Sequence, residues 1–470
     1  MLKFLAFLLT LQAASAAPGS PSQSIITPEL QAKFEESETA NIFIYMTETT
    51  SQVLETVASS PFPDRATKLN ALHDALQSHA SQTQGQILGF LSSENKDFTS
   101  FWINNQIFVK NADLALVTSI AEQFSGIISS IDLEFFAHLI IPMDIKTNLT
   151  LEDELQWGVA KIEADKAWEH IGGIQRAGEG VVIATVDTGV RGTHEALRDN
   201  FAGDYGWFDP STGDLTPTDN NGHGTHTTGT IAGSKGIGVA PRAKWAACRG
   251  CAGFFCAQSD LIKCGEFFTC PTRADGSSPD CSKAPNLVSN SWGGGRGNTW
   301  FNAVIEAWHV ANIIPLFSIG NSGPSCNTAN SPGDQNVIGV GSTTILDEIS
   351  YFSSVGPTSD GRMKPEIAAP GSDVISAYHT GDFAYTSLSG TSMACPHAAG
   401  TIALLLTRNN GLTYGQAKDL LEKPADRQLA FSGRTCDGIR DDIFPNHVFG
   451  NGRINALKSV QQQTLDMASA

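Results

Sequence analysis

The sequence predicts a doubly wound α/β domain with a mainly parallel sheet, preceded by a smaller α+β domain. Three observations carry that prediction. From Gly178 onward, strands are read at 181–187, 243–248, 286–291, 313–319 and 336–341, most plainly in the continuous apolar, β-branched run at 181–187. Unbroken runs of this kind belong to strands buried on both faces, as in parallel sheets. Helical patterns alternate with them and follow them, at 223–233, 259–270, 300–311, 392–408, 414–422 and 453–462. Strand alternating with helix builds a sheet covered on both sides, and the last helices are expected to finish the fold. The first third of the chain has a different rhythm.

Taken in order, Met1-Leu2-Lys3, the apolar run Phe4 to Leu11 and the small residues Ala14-Ser15-Ala16 form an export signal over 1–16. It is too short to span a bilayer, and no later stretch reaches the apolar length of a membrane helix. Beyond it, Asn41–Met46 reads as a strand and Asp64–Leu91 as a helix. Phe101–Val109 is one long strand or a strand pair, Leu114–Phe124 is helical and Gly126–Leu133 is extended. That alternation makes a small α+β sandwich over 17–147, followed by the α/β domain at 148–470. The junction falls between Ile140 and Glu154. Within it, Asn148-Leu149-Thr150 is a glycosylation sequon, usable if the producing cell is eukaryotic.

Three segments of the α/β domain carry chemistry. Val182 to Val190 (VIATVDTGV) is a buried strand that delivers Asp187 at its C-terminal end, where open α/β sheets place functional groups. Asn221 to Gly229 (NGHGTHTTG) presents His223 between two glycines at the start of a helix. Gly390-Thr391-Ser392 puts a serine at the N-terminus of an apolar helix, where unpaired N–H groups can receive an oxyanion. Pro396 is read as lying in that helix's first turn, where a missing N–H is harmless. Singly these are a strand-end cap, a core histidine and a helix cap. Together they supply a nucleophile, a proton acceptor and a carboxylate that fixes its tautomer.

The order Asp187, His223, Ser392 is that of subtilisin rather than of chymotrypsin. VDTGV, HGTHTTG and GTSMACPHAAG resemble the three signature blocks of the subtilisin-like serine proteases, the subtilases. The resemblance runs over about 155 to 460, from Gln156–Ile162 to Gly450–Ala456. RGTHEAL at 191–197 and SNSWGGG at 289–295 resemble the bacillopeptidase F-like branch. This resemblance implies a subtilisin-like fold, with the preceding domain a ferredoxin-like, inhibitory pro-domain. It also implies that Asn321, ending the apolar strand 315–319, donates its side-chain amide to the oxyanion, with the Ser392 N–H as second donor. By the same resemblance, Ser291, Trp292, Gly293, Gly294 and Gly320 bind substrate as pocket walls, with Asn330 near the base. No acidic residue stands in those segments, so a broad apolar or aromatic preference is expected rather than strict cutting after Lys or Arg.

The family's usual calcium loop would lie before Gly238-Val239-Ala240-Pro241, but Ser234–Ile237 passes almost directly into it. Structural calcium is therefore unassigned, and no cofactor or catalytic metal is expected. His226 faces the same way as His223, yet no HExxH accompanies it. His397 reads as a packed helix residue. All nine cysteines follow residue 247, six of them between 248 and 281. Cys395 reads as a free buried thiol. The other eight fit up to four disulfides after export, with zinc at Cys248 and Cys251 as the rival reading.

A net charge of −18 argues against nucleic acid or anionic membranes as partners. The expected protein is thus a secreted, monomeric serine endopeptidase with protein or peptide substrates, made as a self-processing zymogen. An esterase with the same triad is a rival, but the Gly-rich segment 291–294 suits main-chain pairing with an extended peptide. A non-catalytic binding protein would have no need of all four of Asp187, His223, Asn321 and Ser392.

Overall fold

The computed structural model describes residues 25–149 and 154–469. The predicted export signal lies outside them, as do residues 150–153 of the junction. By its contacts the chain divides into two units, the smaller drawing on residues up to Glu48, Thr83–Ser100 and Gln106–Leu133. Thr49–Gln82, Phe101–Asn105 and everything from Glu134 onward group together.

The N-terminal elements are α1 (Pro28–Glu36), β1 (Thr39–Met46), α2 (Ser51–Ser59), α3 (Arg65–Ser93), β2 (Phe98–Phe101), β3 (Gln106–Asp113), α4 (Leu114–Gln123) and β4 (Ile128–Leu133). The sheet order is β2-β3-β1-β4, with β1 antiparallel to both β3 and β4. Strands and helices thus follow a β-α-β-β-α-β plan. Ile42 and Ile44 of β1, Val109 of β3, Leu91 of α3 and Ile120 of α4 are fully buried in its core. The stretch left open between one strand and two resolves into β2 and β3, separated by a turn in which Asn105 adopts φ 54°. Asparagine tolerates that left-handed backbone. Asp113 caps α4 by accepting from the Leu116 N–H at 2.8 Å.

The larger unit continues with β5 (Phe136–Leu139), β6 (Ile145–Leu149), α5 (Trp157–Lys161), α6 (Ala164–His170), β7 (Val182–Asp187), β8 (Trp207–Phe208), α7 (His223–Ala232) and β9 (Lys244–Arg249). Next come β10 (Phe255–Ala257), α8 (Gln258–Thr269), β11 (Leu287–Asn290), β12 (Trp292–Gly293), α9 (Asn302–Val310), β13 (Ile314–Ser318), β14 (Ile338–Thr343) and β15 (Ile367–Pro370). The hairpin β16 (Val374–Ala377) and β17 (Tyr385–Leu388) precedes α10 (Thr391–Arg408), α11 (Tyr414–Glu422) and α12 (Ala456–Ser469).

Seven strands form a parallel sheet in the order β15-β14-β13-β11-β7-β9-β8. Strand order reverses at β7, whose neighbours β9 and β11 lead the chain in opposite directions. Ligands of such sheets bind beyond the strand ends at the reversal. Side chains of β7 alternate as a strand must. Ile183 joins the core that holds Ile231 of α7 and Ile402 of α10, and Thr185 hydrogen-bonds Thr228 of α7 at 3.1 Å. Val186 points the other way, close to Gly250 beside Leu261 of α8. The sheet is covered on both faces, as predicted.

The structure corrects three sequence readings. The sheet gains two edge strands, β8 and β15. The last helix is displaced from 453–462 to Ala456–Ser469, because Ile454 N–H still bonds the Ala368 carbonyl of β15 at 2.9 Å. Pro396 is the sixth residue of α10, not part of its first turn. Its missing N–H frees the Ser392 carbonyl, which accepts instead from Ser291 Oγ at 3.4 Å. The eight cysteines expected to pair do so, as Cys248–Cys264, Cys251–Cys256, Cys270–Cys281 and Cys326–Cys436, which sets aside the rival zinc reading at Cys248 and Cys251.

Candidate active site

Asp187 ends β7, and His223 opens α7. His223 Nδ1–H donates to Asp187 Oδ1 at 2.8 Å and reaches Oδ2 at 3.0 Å. Both residues are 2% exposed, so this pair is shielded from bulk water. The Thr188 N–H donates to Asp187 Oδ1 at 2.8 Å, and Thr227 Oγ1 reaches Oδ2 at 3.3 Å. Glycine is required twice here. Gly222 has φ 100°, and a Cβ on Gly224 would collide with the Gly189 carbonyl.

Asp219 joins the two loops. Its carboxylate accepts from Thr188 Oγ1 (3.0 Å), the Gly222 N–H (2.8 Å) and both the N–H and hydroxyl of Thr225 (2.9 and 2.6 Å). Sequence reading passed over Asp219. Its only signal is an acidic turn residue just before Asn220-Asn221-Gly222.

Ser392 is the second residue of α10 and fully buried. Its hydroxyl donates to the Ile140 carbonyl at 3.0 Å. Among the described residues, His223 Nε2 is buried without a hydrogen-bond partner. Asn321 follows β13 and points its amide at the next carbonyl, Nδ2 donating to the Ile141 oxygen at 2.9 Å. Thr391 fixes that orientation, its N–H and hydroxyl both donating to Asn321 Oδ1 at 2.9 Å. Thr391 is the second residue that sequence reasoning missed.

The segment that touches Ser392 is the chain's own. β5 lies between β10 and β12, antiparallel to each. The Ile140 N–H extends this ladder to the Ser291 carbonyl at 3.1 Å. Past Ser392, the Met143 N–H donates to the Ser389 carbonyl at 2.8 Å, and β6 then pairs antiparallel with β17. Residues 136–149 therefore cross the site as one extended stretch.

Of the predicted pocket residues, Ser291, Trp292 and Gly293 offer their backbone to this stretch. The Trp292 ring turns inward, 5.0 Å from Phe301 and 5.2 Å from Phe317 between ring centres. Gly294 backs onto Phe135, and its N–H donates to the Ser331 carbonyl at 2.9 Å. Asn330 sits across from Gly320, tied to the Ile319 carbonyl at 2.9 Å.

Two other histidines, His226 and His397, are held in bonds of their own. His226 donates Nε2–H to the carbonyls of Val374 (3.0 Å) and Thr386 (3.1 Å). Burial, helped by His223, pushes its imidazole down to about 3. Burial likewise takes His397 to about 4, its Nδ1–H bonding the Met393 carbonyl at 2.8 Å. Cys395 is free and buried, and burial raises its thiol to about 12.

The chain matches the Subtilase family over residues 178–452. Bacillopeptidase F of Bacillus subtilis (strain 168) is 34% identical over 346 residues, 68% of this chain and 23% of its own length. This chain thus spans about a quarter of that relative. Thermitase of Thermoactinomyces vulgaris is 34% identical over 314 residues, 65% of this chain and 96% of its own. Subtilisin DY of Bacillus licheniformis is 29% identical over 312 residues, 65% and 98% respectively.

Proposed function

The chain belongs to the subtilase family, and on that premise we propose that it is a secreted serine endopeptidase made as a self-processing precursor. In this reading Ser392 Oγ attacks the carbonyl carbon of an extended substrate while His223 Nε2 takes its proton. Asp187 holds the imidazole in the tautomer that leaves Nε2 free to do so. The new oxyanion is met by Asn321 Nδ2 and the Ser392 N–H. Neutral donors fixed in advance stabilise that charge without reorganising. His223 then protonates the leaving amine, and water releases the acyl group by the reverse steps.

Residues 17–147 act as the inhibitory pro-domain, and the chain cuts itself between Ile140 and Glu154. The observation that supports this is the stretch 136–149 crossing the site, with Ser392 and Asn321 each bonded to one of its carbonyls. It lies where an extended protein substrate would lie, between two strands that offer main-chain partners. No helix among the described residues is long and apolar enough to cross a membrane.

Two measurements test the reading. Casein hydrolysis should disappear with a serine-directed inhibitor. Ser392→Ala, purified away from other proteases, should accumulate uncut. Processing of that variant at the normal rate would assign the cut to another enzyme. Profiling a mixed peptide library checks specificity, and exclusive cutting after Lys or Arg would overturn the apolar preference.

A further inference from the structure

The tail strand alternates in the cleft as a strand should, with Ala137 and Leu139 buried and Phe136 and His138 exposed. Ile140 breaks the alternation. It is 6% exposed directly after a buried Leu139, so its side chain turns into the wall instead of into solvent. A Cβ on Gly293 would stand 3.7 Å from Ile140 Cδ1. From the next residue the chain is open to water, with Ile141 52% and Met143 44% exposed.

The catalytic groups do not address one carbonyl. Ser392 Oγ lies 3.0 Å from the Ile140 oxygen, whereas Asn321 Nδ2 lies 2.9 Å from the Ile141 oxygen. Attack needs nucleophile and oxyanion donor on the same carbonyl. The tail is therefore docked one carbonyl out of step, bound but not yet aligned. Two small adjustments would bring it into step. Asn321 could take the Ile140 oxygen, which leads to the Ile140–Ile141 bond. Alternatively Ser392 could take the Ile141 carbonyl, which leads to the Ile141–Pro142 bond.

The second route is blocked by covalent structure. The Pro142 nitrogen carries a ring carbon where other residues carry hydrogen. That carbon crowds the side from which His223 must protonate the leaving nitrogen. The second route would also leave the wall pocket filled by a side chain one residue too early. We propose that Ile140–Ile141 is the bond first cut in the precursor, and that Pro142 keeps the neighbouring bond intact. This rests on the self-cleavage reading above.

In the step itself, Ser392 Oγ bonds to the Ile140 carbonyl carbon and its proton passes to His223 Nε2. The Ile140–Ile141 C–N bond breaks, and that proton goes to the Ile141 nitrogen. Water then adds to the Ile140 ester through His223, one of its protons returning to Ser392 and the other passing to solvent as the Ile140 carboxylate forms.

Intact-mass measurement during a time course of the full-length precursor tests this. The earliest N-terminal fragment should end at Ile140, with a complement beginning at Ile141. Later trimming of the mature N-terminus does not affect that reading, because the early N-terminal fragment records the first cut. Pro142→Ala, at a partly exposed position, should add a second early fragment heavier by one isoleucine. A wild-type fragment ending at Ile141, or anywhere after it, would overturn the assignment. A Pro142→Ala precursor still cut after Ile140 alone would overturn the role given to Pro142. If Ser392→Ala is processed as fast as wild type, the self-cleavage reading itself fails. If processing needs Ser392 but occurs at another bond, only the present inference fails.

Discussion

β5 and β6 belong to one extended stretch, yet the cleft holds them very differently. β5 has a strand on each edge, β10 and β12, and Ala137, Leu139 and Ile140 are buried. β6 has β17 on one edge only, and Ile145 is 57% exposed. Its ion pair, Lys146 to Asp373 at 2.5 Å, joins side chains that are both more than half exposed. Burying an aliphatic side chain contributes roughly 1.5–3 kcal/mol, whereas an exposed ion pair contributes about 0–1 kcal/mol. The difference teaches how a strand can be substrate and inhibitor in turn. In the self-cleavage proposed above, the part before the bond would stay, held on two edges, and the part after it would leave.

The largest way to disturb that asymmetry is to prevent the cut. Ser392→Ala and His223→Ala should each lower kcat by on the order of 10⁶, and the double variant little further, because the residues act as a unit. Peptide hydrolysis by each variant, produced with wild-type enzyme supplied in trans and then removed, measures this. Substantial activity in either single variant would refute the assigned roles.

A smaller effect separates holding from cutting. Asn321→Leu keeps the approximate volume but removes the donor, so kcat should fall ~10²–10³-fold with KM little changed. A change in KM alone would make Asn321 a pocket residue.

The asymmetry itself is tested by paired substitutions. Ala137→Phe adds volume where there is none to spare, and overpacking of this kind is worth about 1–3 kcal/mol. Inhibition by the cut pro-segment should weaken by about tenfold or more. Lys146→Ala lies after the proposed cut, outside the inhibiting segment, and removes only an exposed ion pair, so it should leave that inhibition unchanged. Equal effects would erase the distinction between the two segments.

The smallest effect is one of pH. Glu266 of α8 is buried, and its Oε1 accepts from the N–H groups of Trp102 (2.6 Å) and Ile103 (3.2 Å). Burial pushes its carboxyl up to about 8, against the pull of those two donors. A carboxyl raised on folding contributes stability below its ordinary pKa near 4.5 and loses it as pH rises toward 8. The Ser392→Ala precursor should therefore lose several degrees of Tm between pH 5 and pH 8. Glu266→Gln should flatten that slope, and an unchanged slope would exclude Glu266 as its source.

How much could be read from the sequence depends on how local each feature is. β7 and β13 were legible as nearly continuous apolar runs, and β9, β11 and β14 as shorter apolar stretches alternating with helical patterns. β8 has two residues and β15 ends in Pro370, so neither carries a pattern that outweighs its neighbours. Asp187, His223, Asn321 and Ser392 stood out because each ends or begins an element beside characteristic glycines. Asp219 and Thr391 did not, since they act by orienting other side chains across turns that only the folded chain brings together. Disulfide partners were illegible for the same reason.

Cys256 lies within β10 and pairs with Ala137, and its disulfide to Cys251 closes a loop only five residues long in sequence separation. That covalent clasp keeps one lip of the groove straight before any polypeptide arrives. Opening it with Cys251→Ser and Cys256→Ser together frees the lip to wander while Asp187, His223 and Ser392 stay on β7, α7 and α10. Such an enzyme would still turn over a small chromogenic ester but would grip a long polypeptide poorly. On the proposed reading, selectivity for extended chains would depend on oxidation of this pair, separately from the capacity to break a bond.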